Sequence, residues 1–126
     1  MNLFKRFYTR PGSSDEKQIQ QYFAGGQLPF SPGYGPYRWS VIERTIGDSE
    51  LMERFRQHDA LPAGYGQYLD ERVVEIPWLL SHLSPDNRLL LDAGSTLNNQ
   101  TLLEHSALRL YKKHIITLAP ENVCYW

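Results

Sequence analysis

A run of three leucines at positions 89–91 is followed directly by Asp92, and then by Gly94 and Ser95. A carboxylate accepts hydrogen bonds, and glycine lacks a Cβ, so a ligand or the backbone can approach it closely. In nucleotide-binding α/β folds the ligand lies at the carboxyl end of such a strand, against the first turn. The stretch therefore predicts a binding site at this turn, and a strand and turn without any ligand is the alternative.

The sequence shows no motif for several other kinds of active site. The chain has no G-x-x-x-x-G-K-[ST] phosphate loop and no G-x-S-x-G nucleophile elbow. Its four histidines, at positions 58, 82, 105 and 114, form no H-x-x-x-H pair, so the spacing predicts no metal site on a helix. No two carboxylates are spaced for acid–base work, and the catalytic residues stay unknown.

Two apolar segments predict the strands that would position this turn. The first is 89–91 and the second is 114–118, with a short helix around Leu102 and Leu103 between them. A strand–helix–strand order predicts neighbouring parallel strands. Since a stable sheet normally needs three or more strands, we expect an α/β chain that holds the start of an incomplete Rossmann-like parallel sheet.

The region before these strands has a helical pattern. A capping box at 13–16 predicts a helix that ends near Ala24, before two glycines, and Asp48 or Ser49 would cap another over 50–58. Between them, the apolar spacing of Trp39, Ile42 and Ile46 predicts a helix that ends at Gly47, after a proline-rich stretch at 29–36 without regular structure. The segment 70–83 predicts a helix that starts near residue 74, so that Pro77 falls in its first turn.

Composition limits the class of protein. With 126 residues, 41% hydrophobic and 21% charged, the chain has the size and balance of a globular domain. A net charge of −1 gives no reason to expect nucleic acid or an anionic membrane as a partner. A single cysteine, Cys124, excludes an internal disulfide and fits a cytoplasmic location. The sequence contains no run of about 20 apolar residues, so it predicts no membrane-spanning helix.

The turn resembles the first motif of class I S-adenosylmethionine-dependent methyltransferases, in which a strand ends in Asp/Glu-x-Gly-x-Gly. Here Thr96 stands at the usual second glycine and Asn98 at a frequent third. The segments 69–78 and 117–121 are similar to the helix before the first strand and to the exit of the second strand in a bacterial branch of this family. The resemblance covers roughly residues 64–121.

The resemblance implies a Rossmann-like fold, S-adenosylmethionine as cofactor and methyl transfer to an unknown substrate. It places Asp92 and Gly94 against the methionine part of the cofactor, with Ser95 in the same turn. An acidic residue at the end of the second strand usually binds the ribose hydroxyls. The nearest one here is Glu121, 29 positions after Asp92 and displaced past Pro120.

Two interpretations follow for the whole chain. In the first, residues 1–63 are a helical and loop region, and 64–126 are the first β-α-β part of a methyltransferase domain that continues beyond this chain. Such a chain would be inactive alone, and its exposed sheet edges would favour self-association. In the second, the chain is a non-catalytic interaction or assembly module with a Rossmann-like β-α-β unit.

Overall fold

The computed structural model describes residues 14–86, 89–118 and 123–125. These residues form a mixed α/β chain, as predicted, with helices first and a two-stranded parallel sheet near the end. In order, the elements are α1 (Ser14–Ala24), α2 (Tyr34–Ile46), α3 (Ser49–Gln57), α4 (Arg72–His82), β1 (Leu89–Ala93), α5 (Gln100–Glu104) and β2 (Lys112–Ile116).

Short-range signals correctly predicted where α1 ends and where α3 begins. Helix α1 ends before Gly25, and Gly26 has a φ of 84°, a left-handed exit that glycine adopts without strain. Asp48 caps α3, because its Oδ1 accepts hydrogen bonds from the amides of Glu50 at 2.9 Å and Leu51 at 3.1 Å. Ser13 of the predicted capping box lies outside the described residues.

The proline-rich stretch is partly helical, so the prediction of irregular structure over 29–36 is wrong at its end. Helix α2 begins at Tyr34, and Pro36 is its third residue. The first amides of a helix have no acceptor within it, so proline loses no hydrogen bond there. Gly33 precedes the helix with a φ of 86°, and a Cβ at this position would lie 1.9 Å from the carbonyl oxygen of Gln18. Glycine here lets α2 start directly against α1.

Helix α4 also begins earlier than predicted, at Arg72, which leaves Pro77 as its sixth residue, beyond the first turn. One cause is Asp70, whose Oδ1 accepts a hydrogen bond from the amide of Arg72 at 3.1 Å. Its Oδ2 accepts from the guanidinium of Arg38 at 2.6 Å and the hydroxyl of Tyr34 at 3.0 Å. Burial opposes ionisation of Asp70, but these hydrogen bonds outweigh it and lower its pKa. Asp70 therefore joins the start of α4 to α2.

A distant side chain compensates for Pro77 inside α4. In a regular helix the amide of residue 77 would donate to the carbonyl of Val73, and proline has no such amide. The hydroxyl of Tyr65 donates to that carbonyl instead, at 2.6 Å, and also lies 3.0 Å from the hydroxyl of Thr45. Burial raises the pKa of Tyr65, so the hydroxyl keeps the proton that it donates.

The two strands are parallel neighbours, which confirms the predicted β-α-β order. Strand β2 spans 112–116 and not the predicted 114–118. The pair Ala93–Ile116 ends the ladder, and the chain turns away at Gly94, whose amide donates to the carbonyl of Ile116 at 2.6 Å. Thr117 and Leu118 lie beyond the ladder and are exposed. The apolar pattern located the strand, but hydrogen bonding to β1 set its register.

One hydrophobic cluster includes residues from both sides of position 63. Ile42 of α2 and Leu102 of α5 are both fully buried in it, as is Leu108 before β2. The division into 1–63 and 64–126 stays a prediction about sequence organisation, since the side chains of both regions pack into a shared core. None of the helices in the described ranges has the length and apolarity to cross a lipid bilayer.

Candidate functional site

The turn after β1 is built around the carboxylate of Asp92, which is only 7% exposed. Its Oδ1 accepts a hydrogen bond from the amide of Thr96 at 3.0 Å, and its Oδ2 accepts from the amide of Leu97 at 2.9 Å. Both carboxylate oxygens therefore hold the backbone that connects β1 to α5. Asn99 continues this arrangement by capping α5, with its Oδ1 3.2 Å from the amide of Leu102.

Gly94 and Ser95 form the bend of this turn. Gly94 has a φ of 102°, a region that side-chain-bearing residues rarely adopt, and Ser95 has a φ of 50°. A Cβ built at Gly94 would have no atom within 4 Å, so the space in front of the turn is open. Ser95 itself is buried. The structure thus places Asp92, Gly94 and Ser95 in one turn, with Gly94 as the exposed member.

The side chain of Asn98 connects this turn to the end of the described chain. Its Nδ2 donates to the carbonyl of Val123 at 2.7 Å, and its Oδ1 accepts from the amide of Tyr125 at 3.0 Å. Val123 and Tyr125 therefore lie beside the loop that connects β1 to α5. Glu121, the predicted ribose ligand, lies outside the described residues, so its placement stays a prediction.

One face of the sheet is open. The inward residues Leu90 and Ile115 are half-buried, and Leu90 packs against the core. Leu89, Leu91 and Ile116 point to the other face and are 60%, 61% and 57% exposed. Uncovered strands are expected of an incomplete sheet, and these three side chains are mostly exposed, whereas Leu90 and Ile115 are partly covered.

A separate pocket of about 260 Å³ lies between α2, α3 and the loop that carries Pro62 and Tyr65. It shares no lining residue with the turn after β1. The charged side chains on its α3 side already stabilise that helix, since Asp48 caps it and Glu50 pairs with Arg54 at 3.1 Å. The pocket is mainly apolar and offers no group of reactive side chains.

The fold brings together two histidines that sequence spacing did not connect. The Nε2 atoms of His58 and His82 are 3.1 Å apart, although the residues are separated by 24 positions. No short-range pattern signals this pair, because α3 and α4 must pack together before the rings meet. Within the described parts of the chain, no three His, Cys, Asp or Glu side chains are grouped for a metal ion.

The turn after β1 combines an exposed glycine with open space in front of its backbone. Asp92 uses both of its carboxylate oxygens to hold the turn, and the hydroxyl residue at the bend, Ser95, is buried. No protein-family model matches the chain, and neither the curated proteins nor the solved structures with which it was compared include a match.

Proposed function

We propose that the chain contributes the first β-α-β unit of the cofactor site in a class I S-adenosylmethionine-dependent methyltransferase. The observation that carries this proposal is the turn at 92–95, where a parallel strand ends in a buried carboxylate and an exposed glycine with a positive φ. The proposal also rests on the sequence resemblance over residues 64–121, and it places the protein in the cytoplasm. The methyl acceptor and the catalytic residues are not assigned.

In this proposal the residues of the turn have different roles. Asp92 positions the turn through its bonds to the amides of Thr96 and Leu97. Gly94 lets the cofactor approach the backbone, because no side chain fills the space in front of it. Further β-α units of a longer chain would add strands at the sheet edges, and their crossover helices would cover the open face and complete the pocket. We therefore expect weak or no cofactor binding, and no methyl transfer, by these 126 residues alone.

Replacing Gly94 by leucine in a chain that continues past Trp126 should reduce S-adenosylmethionine affinity at least tenfold. The branched side chain would fill the open space in front of the turn, where we place the cofactor. Isothermal titration calorimetry measures the affinity, and thermal unfolding shows whether the variant is folded.

Gly94→Ala is the matched control, because alanine shares the strain of a φ of 102° without the bulk. The free energy of unfolding of both variants should be lower than that of the wild type by a similar amount, about 1 to 3 kcal/mol. Gly94→Leu should weaken binding clearly more than Gly94→Ala. Equal affinity in wild type and Gly94→Leu would reject Gly94 as a cofactor contact.

The open sheet face favours a second candidate function, a non-catalytic assembly module. Leu89, Leu91 and Ile116 expose more than half of their surface on one face. Among the residues that the structure describes, the sheet has two strands, so each strand has one edge without a neighbouring strand. The occupant that fits this surface is a second copy of the chain, which would present the same three apolar side chains and strand edges. Lys112 and His114 lie beside Leu89 and Leu91 on this face, and their long or polar ends can stay in water at the rim of such a contact.

Replacing Leu91 by lysine should shift the chain toward monomer in light scattering. A charge in the middle of β1 would oppose burial of the open face against another copy. Leu28→Lys is the matched control, because Leu28 is 62% exposed but lies outside the sheet. A wild-type monomer that binds S-adenosylmethionine with micromolar affinity would contradict the assembly function and the expected incompleteness of the site.

A further inference from the structure

We propose that His58 and His82 together bind one late first-row divalent metal ion, such as Zn²⁺, through their Nε2 atoms. This site is independent of the turn after β1 and of the proposed methyltransferase function. Both imidazoles are exposed, so water can fill the remaining coordination positions. Neutral imidazole is a preferred ligand of Zn²⁺, Ni²⁺ and Cu²⁺.

The separation of the two nitrogens fits a shared ion. Zinc lies about 2.0 to 2.1 Å from each histidine nitrogen, so two ligands at a tetrahedral angle are about 3.3 Å apart. At a right angle the same two bonds place the nitrogens about 2.9 Å apart. The observed Nε2–Nε2 distance of 3.1 Å lies between these values, so the two nitrogens need not move apart to share an ion. The ion would replace the hydrogen bond between the rings, and each lone pair would turn from the line between the nitrogens toward it.

The ring of His82 is oriented as a metal ligand requires. Its Nδ1 lies 2.8 Å from the carbonyl oxygen of Trp78 and 2.9 Å from the hydroxyl of Ser81. A proton on Nδ1 that is donated to this carbonyl leaves Nε2, the nitrogen near His58, with its lone pair available for a metal ion. The indole of Trp78 stacks on the same ring, with centroids 4.5 Å apart, and this contact restricts its rotation.

The local charges are compatible with a cation. His58 follows the last residue of α3 and His82 is the last residue of α4, so both rings lie at the negative ends of helices. Arg56 is the cation nearest in sequence to His58; its Nε donates to the carbonyl of Ser81 at 3.3 Å. Its guanidinium also pairs with Glu53, so a carboxylate compensates its charge.

Isothermal titration of the full chain with Zn²⁺ tests this site. We expect one ion per chain, and an affinity at least about tenfold lower in His58→Asn and in His82→Gln. Asparagine is chosen at position 58 because His58 has a φ of 59°, a conformation that asparagine tolerates. His114→Gln is the matched control, since His114 is also exposed but lies in β2. The Zn²⁺ affinity of this variant should equal that of the wild type.

Nitrogen NMR of the imidazoles supplies a second readout that needs no variant. Zn²⁺ should shift the Nε2 signals of His58 and His82 and leave those of His105 and His114 unchanged. Mg²⁺, which prefers oxygen ligands, should not compete. Unchanged Zn²⁺ affinity in His58→Asn, an equal loss in His114→Gln, or displacement by Mg²⁺ would overturn the proposal.

Discussion

Replacing Asp92 by alanine should lower the free energy of unfolding by about 2 to 5 kcal/mol. The change removes both acceptors for the amides of Thr96 and Leu97, and each buried donor that loses its partner costs about 1 to 3 kcal/mol. The loss of stability should be smaller than the sum of the two largest costs, because the Thr96 amide is only partly buried. Urea unfolding followed by circular dichroism measures the loss.

Two further variants separate this role from a general effect of charge. Asp92→Asn keeps one carbonyl oxygen as an acceptor and should have an intermediate stability. Asp59→Ala removes an exposed carboxylate and should change stability by less than about 0.5 kcal/mol. If Asp92→Ala is no less stable than Asp59→Ala, the carboxylate does not hold the turn.

Replacing Tyr65 by phenylalanine should destabilise the protein by about 1 to 3 kcal/mol. The change removes one hydroxyl and leaves the carbonyl of Val73 without its donor, and Val73 is only 2% exposed. Pro77 makes this hydroxyl necessary, because it cannot supply the helical amide that the carbonyl would otherwise accept. Chemical denaturation of both proteins gives the difference.

A double-mutant cycle with Pro77→Ala tests this cause directly. Alanine restores an amide that can donate to Val73, so Tyr65→Phe should cost less in the Pro77→Ala background. We expect a coupling energy of about 1 kcal/mol or more. Tyr68→Phe is the control. Tyr68 is 55% exposed, so the loss of its hydroxyl should change the free energy of unfolding little in either background. Strict additivity would contradict the compensation of Pro77 by Tyr65.

The residues of the candidate turn could be predicted, whereas its internal bonding could not. Asp92, Gly94 and Ser95 are close in sequence and follow an apolar strand, so their common location was readable. The prediction that Asp92 faces a ligand stays untested, but the structure shows that both of its oxygens bind the turn. The bonds of Asn98 to residues 123–125 span at least 25 positions, and no local pattern signals them.

The sequence by itself determined the features that depend on neighbouring residues. The end of α1 at two glycines, the Asp48 cap of α3 and the parallel β-α-β order all follow from short-range hydrogen bonding and apolar spacing. These interactions form within one turn of helix or between consecutive elements. They therefore leave a pattern in the chain.

Only the tertiary structure decided the features whose partners are distant. Asp70, at the start of α4, is held by hydrogen bonds that it accepts from Tyr34 and Arg38 of α2. The carbonyl of Val73, which Pro77 leaves without a helical donor, accepts a hydrogen bond from Tyr65 of the preceding loop. The pairing of His58 with His82 depends on how α3 packs against α4. A hydrogen bond needs only that two groups meet with the right geometry. When packing brings together two groups that are far apart in the sequence, the spacing of neighbouring residues does not indicate the contact.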